Sequence, residues 1–598
     1  MIQATLNPTI PQSLTAKEIA EQATMQSFLN CYLRETNNGE FLRSPQLGTD
    51  SLIRCPLSHQ NIEILAGLRY YSPTGRHIFT FPIYYKSLGK AELLQLDYVT
   101  LTALIAKELM LASNQNGHQD ELLLRVVQSC RNIEQFVQYR SAEISELYGF
   151  KRSFIATEQA LVFGHHLHPT PKSRQGFSDE ELPLYSPELK ASFSPYYFRS
   201  HQSIIQEDSN LNRSATDLIK QELLADPEVT SEFKQKYCQS DEYSLIPVHP
   251  WQAEFLKRKP AVQKLIAQGL LEDLGQQGKA YFPTSSIRTV AHPNSPFMFK
   301  FSLNVKITNS LRANLYKELE RGVEISRILD TKIGQDMRDN FPQFQIVKDP
   351  AYITIKGEEE LTSGFATVLR ENPFSEQNDA TCIISLCQDK ITGEGSRLSA
   401  IIQQLAQQEK RLTSDVTLDW FQRYLKICLE PILWLYFTYG IAVEAHQQNS
   451  VLQLKDGYPD KFFYRDNQGY YYRESFQHQL QEILPGISEK SQTFCEDAVI
   501  DERLGYYLVM NNLLGLVNAF GVAGLIDENL LILEVRKALE KHLSLEQGCS
   551  KFLENLLDRS QLRCKGNLLT RFHDMDELVG SVATQSVYVT IQNPLAIS

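Results

Sequence analysis

Residues Thr284–Arg312 read TSSIRTVAHPNSPFMFKFSLNVKITNSLR. From Phe297 to Thr308 the residue types alternate. Phe297, Phe299, Phe301, Leu303, Val305 and Ile307 stand at odd positions, and after Met298 the even positions hold Lys300, Ser302, Asn304, Lys306 and Thr308. A period of two sends these sets to opposite faces of a β-strand. An ordinary amphipathic strand with a solvated polar face has the same pattern. The neighbours make this strand unusual: Arg288 follows Ser285-Ser286, two lysines lie on the polar face, and Arg312 closes the turn Thr308-Asn309-Ser310-Leu311. Arginine pairs bidentately with carboxylate or phosphate, and lysine adds a point charge. Cations among hydroxyls suit a polyanion, and the alternation places Lys300 and Thr308 on one strand face.

Outward from this stretch, the chain reads as α+β, a strand-rich centre between helical N- and C-terminal regions. Residues 1–150 are expected to be mostly helical. Helices are predicted over Ser13–Glu35, Asp97–Leu111 and Glu121–Tyr148, with a hairpin at Ile62–Tyr85 turning on Ser72-Pro73-Thr74-Gly75. Residues 151–390 are richer in strands and turns. Residues 391–598 read as long helices with one hairpin, FFYRDNQGYYYRE, turning on Asn467-Gln468-Gly469.

The 598 residues include 59 Lys+Arg against 71 Asp+Glu, a net charge of −12. No basic run supplies a phosphate-backbone footprint, so no nucleic-acid partner is expected. A local cationic cleft is compatible with that balance. Hydrophobic residues at 42% exclude wholesale disorder. The N-terminus lacks a basic segment followed by an apolar core, so it is not read as a signal peptide. The most apolar stretch, Leu513–Ile526, is interrupted by Asn518 and is too short to span a bilayer; it reads as a core helix. Ten scattered cysteines without a CxxC pair read as reduced thiols. A soluble, cytoplasmic protein without a membrane partner is expected.

The common nucleotide and hydrolase motifs are absent: GxxxxGK[ST], GxGxxG, HExxH and GxSxG. If the protein handles a phosphate, side chains must do so. Glu444-Ala445-His446-Gln447-Gln448-Asn449 closes an apolar helical run, and Tyr464-Arg465-Asp466 follows. Asn449 and Asp466 are hard oxygen donors of the kind Mg²⁺ takes, although polar capping and a buried histidine explain the cluster as well. Gly164–Arg174 carries His165, His166 and His168, but no carboxylate or cysteine stands at zinc-ligand spacing. Pro169 and Pro171 make it extended, with Lys172 and Arg174 alternating toward one anion. In His249-Pro250-Trp251-Gln252 a packed turn is as plausible as chemistry.

Six strings, GHHLHPTPKSRQGF, HPWQ, SSIRT, KFSLNVKITNSLR, EAHQQN and YRD, occur in this order between residues 164 and 466. Together they resemble the NRPS-independent siderophore (NIS) synthetases, the aerobactin-synthetase family. The resemblance implies a cupped hand: a thumb over 1–150, fingers over 151–390 and a palm over 391–598. It implies an AMP-forming ligase in which a carboxylate, usually of citrate, attacks the α-phosphate of ATP. An amine, hydroxylamine or alcohol then captures the acyl-adenylate. It places Ser286, Arg288, Thr289, Lys300 and Lys172 on ATP, and Thr308, Asn309 and Arg312 on the substrate carboxylates. His446 lies between substrate and nucleotide, and Glu444, Asn449 and Asp466 line the Mg²⁺-ATP side. Arg288, Lys300 and His446 are the catalytic candidates, and a homodimer is implied.

Two other functions are compatible with parts of the sequence. A small-molecule kinase fits the spacing of His446 and Asp466 but lacks an HxD loop, since Gln447 and Gln448 follow the histidine. It would release ADP, where a synthetase releases AMP and pyrophosphate. A non-catalytic citrate or ferric-siderophore binder would turn over no ATP.

Overall fold

The computed structural model describes residues 14–113, 118–393, 395–546, 551–576 and 585–596. The first helix, Ala16–Thr36, begins at a capping box. Thr15 Oγ1 accepts from the Glu18 backbone N–H at 3.2 Å, and Glu18 Oε2 accepts from that of Thr15 at 2.8 Å. The expected hairpin exists, as Ile62–Tyr70 against Ile78–Ser87, but it is the centre of a five-stranded antiparallel meander. Glu40–Arg43 and Ser51–Leu57 lie on one side of it and Leu94–Gln95 on the other. The helices Ala16–Thr36, Tyr98–Ser113 and Gln119–Arg140 share a core with this sheet through Phe28, Leu29, Ile64, Ile83, Leu101 and Ile105. This region is thus helices on a sheet. The helix expected to reach Tyr148 ends at Arg140, followed by short turns.

The centre is a six-stranded antiparallel sheet in the order Phe282–Pro283, Thr289–Ala291, Phe297–Phe301, Thr367–Glu371, Ala351–Ile355, Ile205–Ser209. The alternating run does not make one strand. It is cut at Ser302, whose N–H donates to the Ala366 carbonyl at 3.0 Å and whose Oγ accepts from the Asn314 N–H at 2.8 Å. Leu303–Ile307 then joins a separate three-stranded sheet with Ser310–Arg312 and Arg174–Gln175. Lys300 and Thr308 therefore do not share one strand face. Nor is the polar face solvated: Lys300 is 4% exposed and Ser302 1%. A buried ammonium and hydroxyl need partners; Asn314 serves the hydroxyl, and those of the ammonium come from the C-terminal half.

That half is organised around the helix Thr413–Tyr439, which ends at Gly440 with φ +65°. A Cβ there would also lie 2.4 Å from the Phe476 ring, so glycine is required twice over. The aromatic runs around Asn467-Gln468-Gly469 do not form the expected hairpin. Tyr458–Arg465 pairs with Ser450–Lys455 and Phe344–Val347, whereas Tyr470–Arg473 pairs with Ile441–Val443 and Phe494–Cys495. The Asp466–Gly469 segment instead bridges two sheets. Trp420, Tyr424, Phe462 and Phe520 form part of the surrounding core. Leu514–Val522 is a buried helix as expected, and Asn518 bonds Arg76 and Glu528. No helix among the described residues is long and apolar enough to cross a membrane. Among them, nine cysteines are unpaired, eight of them buried. Cys549 and the first thirteen residues, where much of the signal-peptide reading falls, lie outside the described residues.

Candidate active site

The six strings, apart from HPWQ, meet around one cleft of about 340 Å³ between the central sheet and the C-terminal half. That volume is within the range of small-molecule sites. Its first wall is the turn Thr284–Thr289. Glu158 Oε2 accepts from the backbone N–H and hydroxyl of Ser285 at 2.9 and 2.8 Å. The same carboxylate pairs with Arg465 at 2.9 Å, and both side chains are buried. Ser286 Oγ accepts from the Thr289 N–H at 3.2 Å. Between them Ile287 has φ +68°, a left-handed conformation costly for a β-branched residue. Its side chain is anchored in an apolar cluster with Leu303 and Val305.

Arg288 ties two of the strings together and reaches the segment just after a third. Its Nη1 donates to the carbonyls of Arg312 and Ala313 at 2.9 and 3.1 Å and to Asn314 Oδ1 at 3.0 Å. Its Nη2 donates to Gln468 Oε1 at 2.9 Å. Burial, aided by the Arg312 charge, pulls its guanidinium down to about 10.

Lys300 Nζ donates to Asp466 Oδ1 at 2.7 Å and also bonds Asn467. Burial pulls this ammonium down to about 8, against the opposing pull of Asp466. Burial by itself would raise Asp466, but Lys300 and Arg370 overcome it and hold the carboxyl well below the usual range. Arg370 is itself held by Asp349 through two bonds of 2.7 and 2.8 Å.

The opposite wall is the turn between Leu303–Ile307 and Ser310–Arg312. Thr308 has φ +54°. Its Oγ1 donates to the Ile307 carbonyl and accepts from Arg312 Nη2, each at 2.6 Å. Asn309 Oδ1 bonds His168 Nε2 at 3.1 Å. Thus Thr308, Asn309 and Arg312 are gathered at one end of the cleft.

His446 Nδ1 accepts from the backbone N–H groups of Gln448 and Asn449 at 3.2 and 3.3 Å, which places the proton of the neutral ring on Nε2. Burial pulls this histidine down to about 4, so it is neutral at pH 7. Asn449 Nδ2 donates to Asp466 Oδ2 and to the Glu444 carbonyl, both at 3.3 Å. The Tyr471 hydroxyl donates to Glu444, whose carboxyl is pushed up by burial. No group of three or more His, Cys, Asp or Glu side chains among the described residues is arranged to hold a metal ion. The donor set at hand is smaller and harder: an ionised Asp466, the Asn449 amide beside it, and Glu444. It fits Mg²⁺, which takes one or two carboxylates with waters and substrate phosphates.

One sequence expectation changes, and the packed-turn reading of HPWQ holds. Lys172 and Arg174 do face one anion, but it belongs to the protein. Glu188 takes Lys172 Nζ at 2.5 Å and Arg174 Nη2 at 2.5 Å, with all three side chains buried. Lys172 lines the cleft, yet its ammonium is bound to Glu188 and the Leu161 carbonyl. His249 is fully buried and caps the helix Pro250–Lys257, and Gln252 reaches across to Asn304 at 2.9 Å. That string packs the sheet behind the site.

The sequence reading missed Arg321, Arg370, Arg503, Lys565, Tyr507 and Asn511, which also line the cleft. Each is an isolated residue with no local pattern. With Arg288, Lys300 and Arg312 they place at least seven cations against three carboxylates, Glu318, Glu444 and Asp466. In a chain of net charge −12, this concentrates positive potential in one cleft.

The cleft suits anionic, phosphate-bearing substrates, and named relatives of the chain are ligases. The chain belongs to the IucA / IucC family, whose model matches residues 153–388. A second model, the ferric iron reductase FhuF-like transporter, matches residues 418–580. The spermidine-citrate ligase of Bacillus anthracis is 48% identical, over 97% of this chain and 98% of that protein. The rhizobactin siderophore biosynthesis protein RhbC of Rhizobium meliloti is 36% identical, over 96% and 97%. Among solved structures, the ATP-bound aerobactin synthetase IucA from Klebsiella pneumoniae superposes with a TM-score of 0.86 at 27% identity, over 97% of this chain and all of that one.

Proposed function

We propose that the chain is an ATP-dependent siderophore synthetase that adenylates a carboxylate of citrate and passes the citryl group to an amine. One observation carries the reading: the cations Arg288 and Lys300 and the Thr308–Arg312 turn face one cleft and are tied together by the bonds of Arg288 to the Arg312 carbonyl and Gln468. A carboxylate oxygen attacks the α-phosphorus; the new C–O–P bond forms as the bond to the bridging oxygen breaks and pyrophosphate leaves. Both reactants are anions, so the barrier contains their repulsion. Arg288 and Lys300 are fixed beforehand where charge gathers on the phosphoryl oxygens. Thr308, Asn309 and Arg312 hold the other carboxylates, so the attack is intramolecular in effect. Neutral His446 offers its Nε2–H to an oxygen between the two substrates. Asp466 and Asn449, with Glu444 nearby, would hold Mg²⁺, which would neutralise charge on the phosphates. In the second half-reaction the amine nitrogen attacks the acyl carbonyl and AMP leaves.

The amine of spermidine is the first acceptor to test, because the spermidine-citrate ligase is the relative at 48% identity. The thumb, fingers and palm division and a homodimer belong to the same reading and rest on the family resemblance, and a cytoplasmic location rests on the scattered, reduced cysteines and the other sequence features given above. The test is pyrophosphate release with ATP, Mg²⁺ and citrate, followed by mass analysis of the amide with spermidine. Release of ADP in place of AMP would replace the reading with a kinase.

A further inference from the structure

The turn that carries Thr308 is held from outside by the C-terminal helix Asn567–Phe572 and the residues just after it. Thr308 is β-branched and left-handed, a conformation that persists only when its surroundings enforce it. Four contacts from one short segment do so. Arg571 Nη1 donates to the Thr308 carbonyl at 3.2 Å. Lys306 Nζ pairs with Asp574 Oδ1 at 2.8 Å, and Arg571 bonds the same carboxylate. Asp576 Oδ2 accepts from the Leu311 N–H at 3.3 Å. Asn309 Nδ2 donates to Asn567 Oδ1 at 3.4 Å, while Asn567 Nδ2 donates to the Leu167 carbonyl at 2.8 Å. The helix is fixed in turn by Glu35, whose two oxygens accept from the N–H groups of Leu568 and Leu569 at 2.8 Å each.

We propose that Arg571 is a positioning residue for the substrate carboxylates: it holds the Thr308 turn in its left-handed conformation and so sets the aim of Thr308, Asn309 and Arg312. Its side chain is fully buried and is not among the residues that line the cleft, so it acts through the turn. The ATP wall has separate supports, Glu158, Arg465 and Asp466. The effect of Arg571 is therefore confined to the carboxylate substrate. This inference rests on the assignment of the Thr308 turn to citrate.

The test is steady-state pyrophosphate release by the full chain, with citrate and ATP varied separately. Arg571→Lys keeps a charge but loses the fork that reaches both Thr308 and Asp574. It should raise the KM for citrate about tenfold, leave the KM for ATP within about twofold, and leave far-UV circular dichroism unchanged. Asp574→Asn, a milder change at a half-buried site, should shift the citrate KM the same way by a smaller factor, and it carries the test if Arg571→Lys does not fold. An unchanged citrate KM in a folded variant, or equal rises for citrate and ATP, would overturn the positioning role. Wild-type protein that releases no pyrophosphate with citrate would instead refute the assignment of citrate.

Discussion

At the scale of single residues, the site depends on charges kept out of water. Lys300 is pulled down to about 8 by burial, so its ammonium is lost from the free enzyme as pH rises through about 8. The value of kcat/KM for ATP should fall over that limb, because this ratio reports the free enzyme's ionisations. Lys300→Arg, whose guanidinium stays charged, should move the limb to higher pH; a limb that does not move would assign it to another group. Arg288→Ala should lower kcat by about 10²–10³, the cost of removing one preplaced donor to a developing anion, and it also strands the Arg312 and Ala313 carbonyls. His446 is held to about 4 by burial. A histidine with a depressed folded pKa costs no stability above the unfolded value of about 6.5 and destabilises the fold as pH drops toward the folded one. His165, His166 and His249, each pulled to about 3 by burial, act in the same direction. Urea midpoints should therefore decline from pH 6.5 to pH 4, and His249→Asn should flatten that decline.

At the scale of elements, the turns carry the chemistry and the sheets hold them still. The buried pair Glu158–Arg465 joins the Ser285 turn to the strand before Asp466. Losing one partner of such a pair costs about 3–5 kcal/mol, so Glu158→Gln should lower the denaturation midpoint by that order and weaken ATP binding with it. Thr308→Gly suits φ +54° and relieves about 1–2 kcal/mol of backbone strain, while deleting the hydroxyl that accepts from Arg312. Its melting temperature should stay close to the wild-type value and its citrate KM should rise, read by thermal melts alongside the pyrophosphate assay. This scale also shows what the sequence could tell. Arg288, Lys300, Thr308, Arg312, His446, Asn449 and Asp466 were expected in one site because six strings in order resemble one family, and the fold gathers them around one cleft. The break at Ser302 was not legible, because the alternation runs straight through it and only the distant Ala366 and Asn314 divide the strand. The Tyr470–Tyr472 run looked like a hairpin partner of Phe462–Tyr464, because Asn-Gln-Gly between aromatics imitates a turn. Its true partners lie about 30 residues earlier and 20 later, beyond the reach of local pattern.

At the scale of the whole molecule, an acidic chain encloses a cationic cleft lined by residues as far apart as His165 and Lys565. The cations Arg321, Arg370, Arg503 and Lys565 join the site only through folding, which is why sequence pattern did not reveal them. The cleft binds two anionic substrates in this account, so raised ionic strength should weaken their capture more than it weakens the fold. The reaction to be tested is adenylation of citrate. The most direct measurement is the nucleotide product formed by purified protein with ATP, Mg²⁺ and citrate, hydroxylamine or spermidine serving as acceptor. Adenylation of citrate predicts citrate-dependent AMP and pyrophosphate in equal amounts, with a citryl amide or hydroxamate formed alongside. ADP as the product, or no citrate-dependent turnover of ATP, would contradict it.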